Sequence, residues 1–274
     1  MKWRELIRSH RYAEAIRDLR RHLASNPEDM VAVAWMADAL RANGQHSEAL
    51  SFFERLAAHR SADKVANMMT PGSAPWDIDI ACLHWLCGNH AKATQMMHGL
   101  AAGILDGSIN YASDAADGMS QGLLLYYMAV SDNRPEDMSF ALKYLRNRVK
   151  RSASRNWPGP VASYYLGDIT FAKVMEEVED VDGQVRLAPF VDPAKLELGR
   201  RKRLCVTLFH DGIKSRAHGD EAHCLARMRE CYALENPMID KNGTWRGMRF
   251  RKPPARPAQD NAHRRQWRCG RLRY

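Results

Sequence analysis

The sequence predicts an all-α fold: a solenoid of stacked helical hairpins over residues 1–240, followed by a disordered C-terminal tail over residues 241–274. Two similar segments lie one 34-residue period apart, with Ala15 and Ala49 at equivalent places. Hydrophobic residues make up 45% of the chain, yet no apolar run is longer than eight residues, the length of Leu123 to Val130. A period of this length with short apolar runs is typical of stacked helix–turn–helix units.

The repeated segments share small and large residues at fixed offsets. Small residues let two antiparallel helices approach closely, and a glycine lets the chain reverse between them. In the second segment these places are held by Met36, Ala37, Gly44, Ala49 and Phe53, and in the first by His10, Ala15, Leu19 and Pro27. A window from residue 74 has Ile80, Ala81, Gly88, Ala93 and Met97, and a later one has Asp211, Gly212, Gly219, Cys224 and Met228.

This pattern resembles the tetratricopeptide repeat family, whose 34-residue unit is a helical hairpin. The clearest repeats lie within residues 1–58, 74–103 and 205–237. His10 replaces the family's turn glycine, and Asp211 replaces a large apolar residue. Apolar periodicity and turn residues also predict two looser helix pairs, Met119–Val130 with Pro135–Arg151 and Pro160–Gly167 with Thr170–Glu179, and then an exposed linker, Asp182–Gly199.

The resemblance implies a concave groove lined by the first helix of each hairpin. The family's groove positions, carried onto the clearest repeats, give seven candidate contacts: Ala34, Asp38, Arg41, Ile78, Trp85, Phe209 and Arg216. Such a surface would hold another protein, as a peptide or helix with apolar anchors and an acidic side chain or C-terminal carboxylate. Packing between repeats is the alternative role for each aromatic residue.

The basic charge of the chain is concentrated in the tail. Residues 241–274 hold 11 Lys and Arg and a single acid, Asp260, so the residues before them sum to −1 although the whole chain is +9. Prolines and the lack of a helical apolar period predict disorder. One interpretation is a nucleic-acid arm that contacts phosphates through Arg246, Arg249, Arg251, Lys252, Arg264 and Arg265. The alternatives are an anionic membrane surface, a tail without selected function, and a shifted reading frame.

No catalytic, metal or cofactor site is predicted. The sequence has no P-loop, H-E-x-x-H or G-x-G-x-x-G motif. Asp77-x-Asp79 resembles a metal-binding carboxylate pair, but a predicted helix starts there, and acidic side chains complement the dipole of its first turn. Cys82 and Cys87 lack zinc-knuckle spacing, so the thiols are interpreted as small buried residues.

The expected compartment is the cytoplasm. The N-terminal segment is charged throughout, and no apolar run approaches the roughly 20 residues that span a bilayer. Free thiols suit a reducing environment. The oligomeric state stays open, since an uncapped last hairpin could also pair with a second copy.

Overall fold

The computed structural model of the chain describes residues 2–62, 77–109, 116–180 and 193–234. Within these ranges the chain forms twelve α-helices and no strand, which confirms the all-α solenoid. The helices form six consecutive antiparallel hairpins. Their bounds are α1 Lys2–Arg8 with α2 Tyr12–Ser25, α3 Met30–Ala42 with α4 His46–Ala62, α5 Asp77–Leu86 with α6 His90–Asp106, α7 Met119–Ser131 with α8 Pro135–Arg148, α9 Gly159–Leu166 with α10 Phe171–Glu179, and α11 Pro193–Ala217 with α12 Glu221–Ala233.

The same turn closes every hairpin. One residue with positive φ follows the first helix, and its N–H and that of the next residue both donate to carbonyls in the last turn of that helix. These residues are Gly44, Gly88, Gly167 and Gly219, and in the other two hairpins His10 and Asn133. Glycine adopts this conformation freely, while asparagine and histidine are enriched among the other residues that adopt it. His10 therefore takes the turn position that the repeat period gave it, although it is not a glycine.

Small residues mark the points where paired helices touch. A Cβ atom added at Gly122 would lie 2.6 Å from Cδ1 of Tyr144, and one added at Gly212 would lie 2.9 Å from Cε of Met228. Cys224, on the opposite helix of the last hairpin, is fully buried. The two helices approach too closely at these points for a larger side chain.

Two groups of buried apolar side chains run along the chain. The first joins α1–α4 to one side of α5 through Ile80 and Leu83. The second joins the four later hairpins, including the other side of α5 through Ile78, Cys82 and Trp85. Since α5 contributes to both groups, it connects the first two hairpins to the rest of the solenoid.

The structure corrects two predicted helix boundaries. α8 ends at Arg148 and a 3-10 helix, Ser152–Arg155, follows, whereas one helix was predicted to continue three residues further. α11 begins at Pro193, so the last part of the predicted linker, Asp182–Gly199, is helical. Proline is accepted in a first helical turn because its missing N–H has no intrahelical acceptor there, and one interior glycine costs only about 1 kcal/mol.

α11 packs back onto earlier hairpins. It has 25 residues, and besides its partner α12 it contacts α10, α9 and α7. Arg200 pairs with Glu179 of α10 at 2.7 Å, and the ring of Phe209 lies 5.2 Å from the ring of Tyr127 in α7. The second contact joins the first helices of the fourth and sixth hairpins. It covers the side of α7 that would face the groove in an open solenoid.

Candidate partner-binding groove

The seven candidate groove residues fall into separate parts of the structure. They are distributed over α3 (Ala34, Asp38, Arg41), α5 (Ile78, Trp85) and α11 (Phe209, Arg216). The α3 residues are only partly buried, whereas the α5 residues and Phe209 belong to the second group of buried side chains. The structure therefore does not bring all seven side chains to one surface.

Arg41 forms an ion-pair bridge between the second and third hairpins. Its Nη2 lies 2.7 Å from Asp38, one turn earlier on α3, and its Nη1 contacts Asp79 on α5. The guanidinium carbon also lies 5.4 Å from the ring centroid of Phe53. Burial raises the pKa of Asp79 to about 6, although Arg41 opposes the shift. Two carboxylates of the chain itself thus share the guanidinium that was predicted to meet a partner's carboxylate.

Trp85 and Phe209 lie in the interior on either side of Tyr127. Nε1 of Trp85 donates to the hydroxyl of Tyr127 at 3.2 Å, and the rings of Phe209 and Tyr127 are 5.2 Å apart. His90 stacks on Trp85 with ring centroids 4.0 Å apart. Trp85 and Phe209 are each 7% exposed, and Ile78 is 8% exposed. These contacts support packing between repeats, the alternative that the sequence left open for the aromatic positions.

Arg216 joins the two helices of the last hairpin. Its Nη2 and Nε lie 2.6 and 3.0 Å from the two carboxylate oxygens of Glu221, at the start of α12. A bidentate pair of this kind fixes the orientation of both side chains. The Arg216 guanidinium is therefore already paired with a carboxylate of the chain itself, as the Arg41 guanidinium is.

Two arginines of α1, which were not among the predicted residues, are equivalent to positions that line the groove in the tetratricopeptide repeat pattern. The 34-residue period makes Arg4 equivalent to Asp38 and Arg8 equivalent to Ala42. Both arginines are exposed, and neither has a carboxylate within 4.0 Å among the residues that the structure describes. Counting back one period from α3 is the sequence signal that would have found them.

A small apolar surface lies on α3, which contacts α1. Val31, in the first turn of α3, is 51% exposed, and Ala34 lies one turn later on the same face. Residues three apart on a helix point in similar directions. The first two hairpins therefore offer two cations on α1 and a small apolar patch on α3.

Asp211 forms a buried polar cluster in the sixth hairpin. It is 5% exposed, accepts hydrogen bonds from the Tyr164 hydroxyl at 2.5 Å and Arg227 Nε at 2.7 Å, and lies 2.8 Å from Nε2 of His223. Burial acts to raise the pKa of this carboxyl, but the hydrogen bonds from these three partners outweigh it and hold the pKa below its ordinary value. Asp211 thus ties α9 to α12, which explains a charged residue where the repeat expects a large apolar one.

The described residues provide little for catalysis. Residues 118–122 match the G-x-S-x-G motif of serine hydrolases, in which the serine sits on a strand-to-helix turn. Ser120 instead lies in the first turn of α7. Within the described ranges, no three His, Cys, Asp or Glu side chains are grouped so that they could hold a metal ion, and no helix is both long and apolar enough to cross a bilayer.

The predicted nucleic-acid contacts lie in the tail, outside the described residues: Arg246, Arg249, Arg251, Lys252, Arg264 and Arg265. The described part of the chain contains a second basic surface. Lys143 and Arg146 are exposed on α8, Lys150 is exposed just after that helix ends, and Arg155 is exposed in the 3-10 helix. None of these four side chains has a carboxylate within 4.0 Å in the described part of the chain.

A comparison with known families identifies the repeat. Residues 6–70 match the model of the tetratricopeptide repeat, which confirms the resemblance over most of the first two hairpins. Repeats of this family generally mediate protein–protein interaction, and the family is non-catalytic. No curated protein matches the chain.

Proposed function

We propose that this chain, which belongs to the tetratricopeptide repeat family over residues 6–70, is an adaptor that holds a segment of another protein in the groove of its first hairpins. The observation that carries the proposal is the pair of exposed arginines, Arg4 and Arg8, at groove positions. No carboxylate of the described residues lies within 4.0 Å of either guanidinium. In contrast, Arg41 and Arg216 both have ion-pair partners.

The chemistry of this groove favours a short peptide or helix with an acidic end. A guanidinium binds a carboxylate with two parallel hydrogen bonds, so Arg4 and Arg8 suit an acidic side chain or a C-terminal carboxylate. Val31 and Ala34 suit a small apolar side chain near that carboxylate. The interior positions of Trp85 and Phe209 limit the proposed groove to the α1–α3 side of the solenoid.

The proposal can be tested with a library of synthetic peptides that end in a free carboxylate. We expect the wild-type chain to select peptides with an acidic or C-terminal carboxylate next to an apolar residue. Amidation of the peptide C-terminus or the double substitution Arg4→Glu/Arg8→Glu should weaken binding of the selected peptides. Hydrogen bonds to charged groups contribute about 1.5–3 kcal/mol, so the loss should be roughly tenfold to hundredfold.

The chain offers a matched control for this charge reversal. Arg17 and Arg21 are also exposed, are also four residues apart and also lack a carboxylate within 4.0 Å among the described residues, but they lie on α2. Second helices line the outer side of such a solenoid, so Arg17→Glu/Arg21→Glu should leave peptide binding unchanged. Equal losses for both double variants would mean that general charge, and not the groove, attracts the peptides.

A second candidate function is association with nucleic acid through the basic tail. The four exposed cations Lys143, Arg146, Lys150 and Arg155 support it, because residues 138–167 contain no acid that could compensate them. Phosphate contacts make affinity fall steeply as salt concentration rises. This function can be tested by measuring the binding of a labelled duplex DNA at several salt concentrations. The wild type would be compared with the double variants Arg264→Glu/Arg265→Glu and Arg146→Glu/Lys150→Glu. Unchanged weak binding in both variants would contradict this function.

A further inference from the structure

The two helices of the last hairpin bring a pair of cysteines together. α11 and α12 run antiparallel and pack closely at Gly212, where an added Cβ would lie 3.2 Å from the carbonyl oxygen of Cys224. Continuing in the same register, Cys205 of α11 faces Cys231 of α12. Sγ of Cys231 donates to the carbonyl oxygen of Cys205 at 3.3 Å.

The contact between the Cys231 thiol and the Cys205 backbone places the two cysteines on facing turns of α11 and α12. A disulfide requires Cα atoms roughly 4.4–6.8 Å apart, which two helices reach only where they pack closely. Close packing is what the small residues of this hairpin permit. Cys87, in contrast, lies at the end of α5 in the third hairpin, and Cys224 lies on the same helix as Cys231.

We propose that Cys205 and Cys231 are a reversible oxidation site, at which a hydroperoxide converts the two thiols to an intramolecular disulfide. The proposal stands independently of the adaptor function. It goes beyond the sequence prediction, which treated all the cysteines as small buried residues.

The accessibility and acidity of the two thiols set the order of the steps. Cys205 is partly exposed, whereas Cys231 is 8% exposed, so a small oxidant reaches Cys205 first. The neighbouring Cys231 side chain lowers the pKa of Cys205 against the opposing effect of burial. The neighbouring Cys205 side chain and burial raise the pKa of Cys231. Because the thiolate is the nucleophile, Cys205 is the peroxide-reactive residue and Cys231 the resolving residue.

The reaction balances in two steps. The Cys205 thiolate attacks one peroxide oxygen, forming the S–O bond of a sulfenic acid and breaking the O–O bond, and hydroxide or alkoxide leaves. The sulfur of Cys231 then attacks the sulfur of Cys205. The S–S bond forms as the S–O bond breaks, and the hydroxyl group leaves as water with the proton of Cys231. The two thiols supply the two electrons that reduce the peroxide, and a dithiol reductant reverses the link.

The test is peptide mapping of the full chain after treatment with hydrogen peroxide. Free thiols are blocked by alkylation, the protein is digested without reduction, and the peptides are identified by mass spectrometry. We expect a cross-linked pair of peptides containing Cys205 and Cys231, lighter than the sum of the two by two hydrogen atoms and absent after reduction. The oxidised protein should also melt at a higher temperature than the reduced protein, because the link closes a loop in the unfolded chain.

Single substitutions separate this pair from the other thiols. Cys231→Ser should leave Cys205 as a sulfenic acid that a dimedone probe labels, whereas Cys87→Ser and Cys269→Ser should retain the cross-link. Alkylation of both Cys205 and Cys231 after peroxide treatment of the wild type would overturn the proposal. So would a cross-link from Cys205 to another cysteine. Both results are read on the wild-type protein, so they do not depend on the folding of a variant.

Discussion

Asp79→Asn is expected to change how the stability of this protein depends on pH. Asp79 lies on α5, its side chain is only 16% exposed, and it contacts Arg41 across the boundary between two hairpins. Burial raises the pKa of its carboxyl from 3.8 to about 6 in the folded state. A buried carboxyl loses its proton less readily because the charged form loses its hydration.

The sign and size of the effect follow from this shift. Because the folded pKa is higher than the unfolded one, Asp79 contributes stability that is fully present below pH 3.8 and is lost as the pH rises through about 6. One pKa unit corresponds to 1.36 kcal/mol, so the loss amounts to about 3 kcal/mol between these limits. An asparagine side chain cannot ionise, so the variant does not show this loss of stability.

Urea unfolding of the wild type and Asp79→Asn across this pH range would measure the effect. The free energy of unfolding of the variant, relative to the wild type, should rise by about 2–3 kcal/mol from about pH 4 to about pH 7.5. Asp38→Asn leaves Asp79 in place but removes a neighbouring negative charge that adds to the rise in its pKa, so this variant should show a smaller pH dependence than the wild type without losing it. Parallel curves for the wild type and Asp79→Asn would refute the reasoning, because they would mean that Arg41 outweighs burial.

Two further comparisons test the packing of the solenoid. Gly122→Ala should destabilise the protein by about 1–3 kcal/mol, because the added Cβ would lie 2.6 Å from Tyr144. Gly199→Ala should instead stabilise α11 by about 0.5–1 kcal/mol, because no atom lies within 4 Å of the added Cβ. Phe209→Ala should cost about 3–5 kcal/mol because its ring is 7% exposed, whereas Val31→Ala, at 51% exposure, should change stability by less than about 0.5 kcal/mol. Urea denaturation measures the free energy of unfolding of all four variants. Similar changes for the two glycine variants, or for Phe209→Ala and Val31→Ala, would contradict the packing described above.

The local features of the fold could be predicted because they depend on residues close in sequence. The 34-residue period predicted the first hairpins and placed the turn at His10, which takes the positive φ that Gly44 and Gly88 take in the next hairpins. Turn geometry and close helix contact each involve residues of one hairpin. Small residues at fixed offsets therefore predict them with no knowledge of the rest of the molecule.

The candidate site was harder to predict, because partner binding and helix packing call for the same residue types. An aromatic residue on the first helix of a hairpin can face an open groove or another helix of the chain. Trp85 and Phe209 face Tyr127 of α7, at sequence separations that no repeat offset encodes. The role of Arg41 was equally ambiguous, because its charge suits a partner's carboxylate as well as it suits Asp79.

The sequence by itself thus determined the helical hairpins, their small contact residues and the place of each regular turn, because each depends on local spacing. Only the tertiary structure decided which of the candidate positions are exposed. Phe209 and Trp85 are buried because α11 and α5 both pack around Tyr127 of α7, whereas Arg4 and Arg8 are exposed on α1. Long-range packing of this kind follows from how all the hairpins stack, and a short repeat pattern does not specify it.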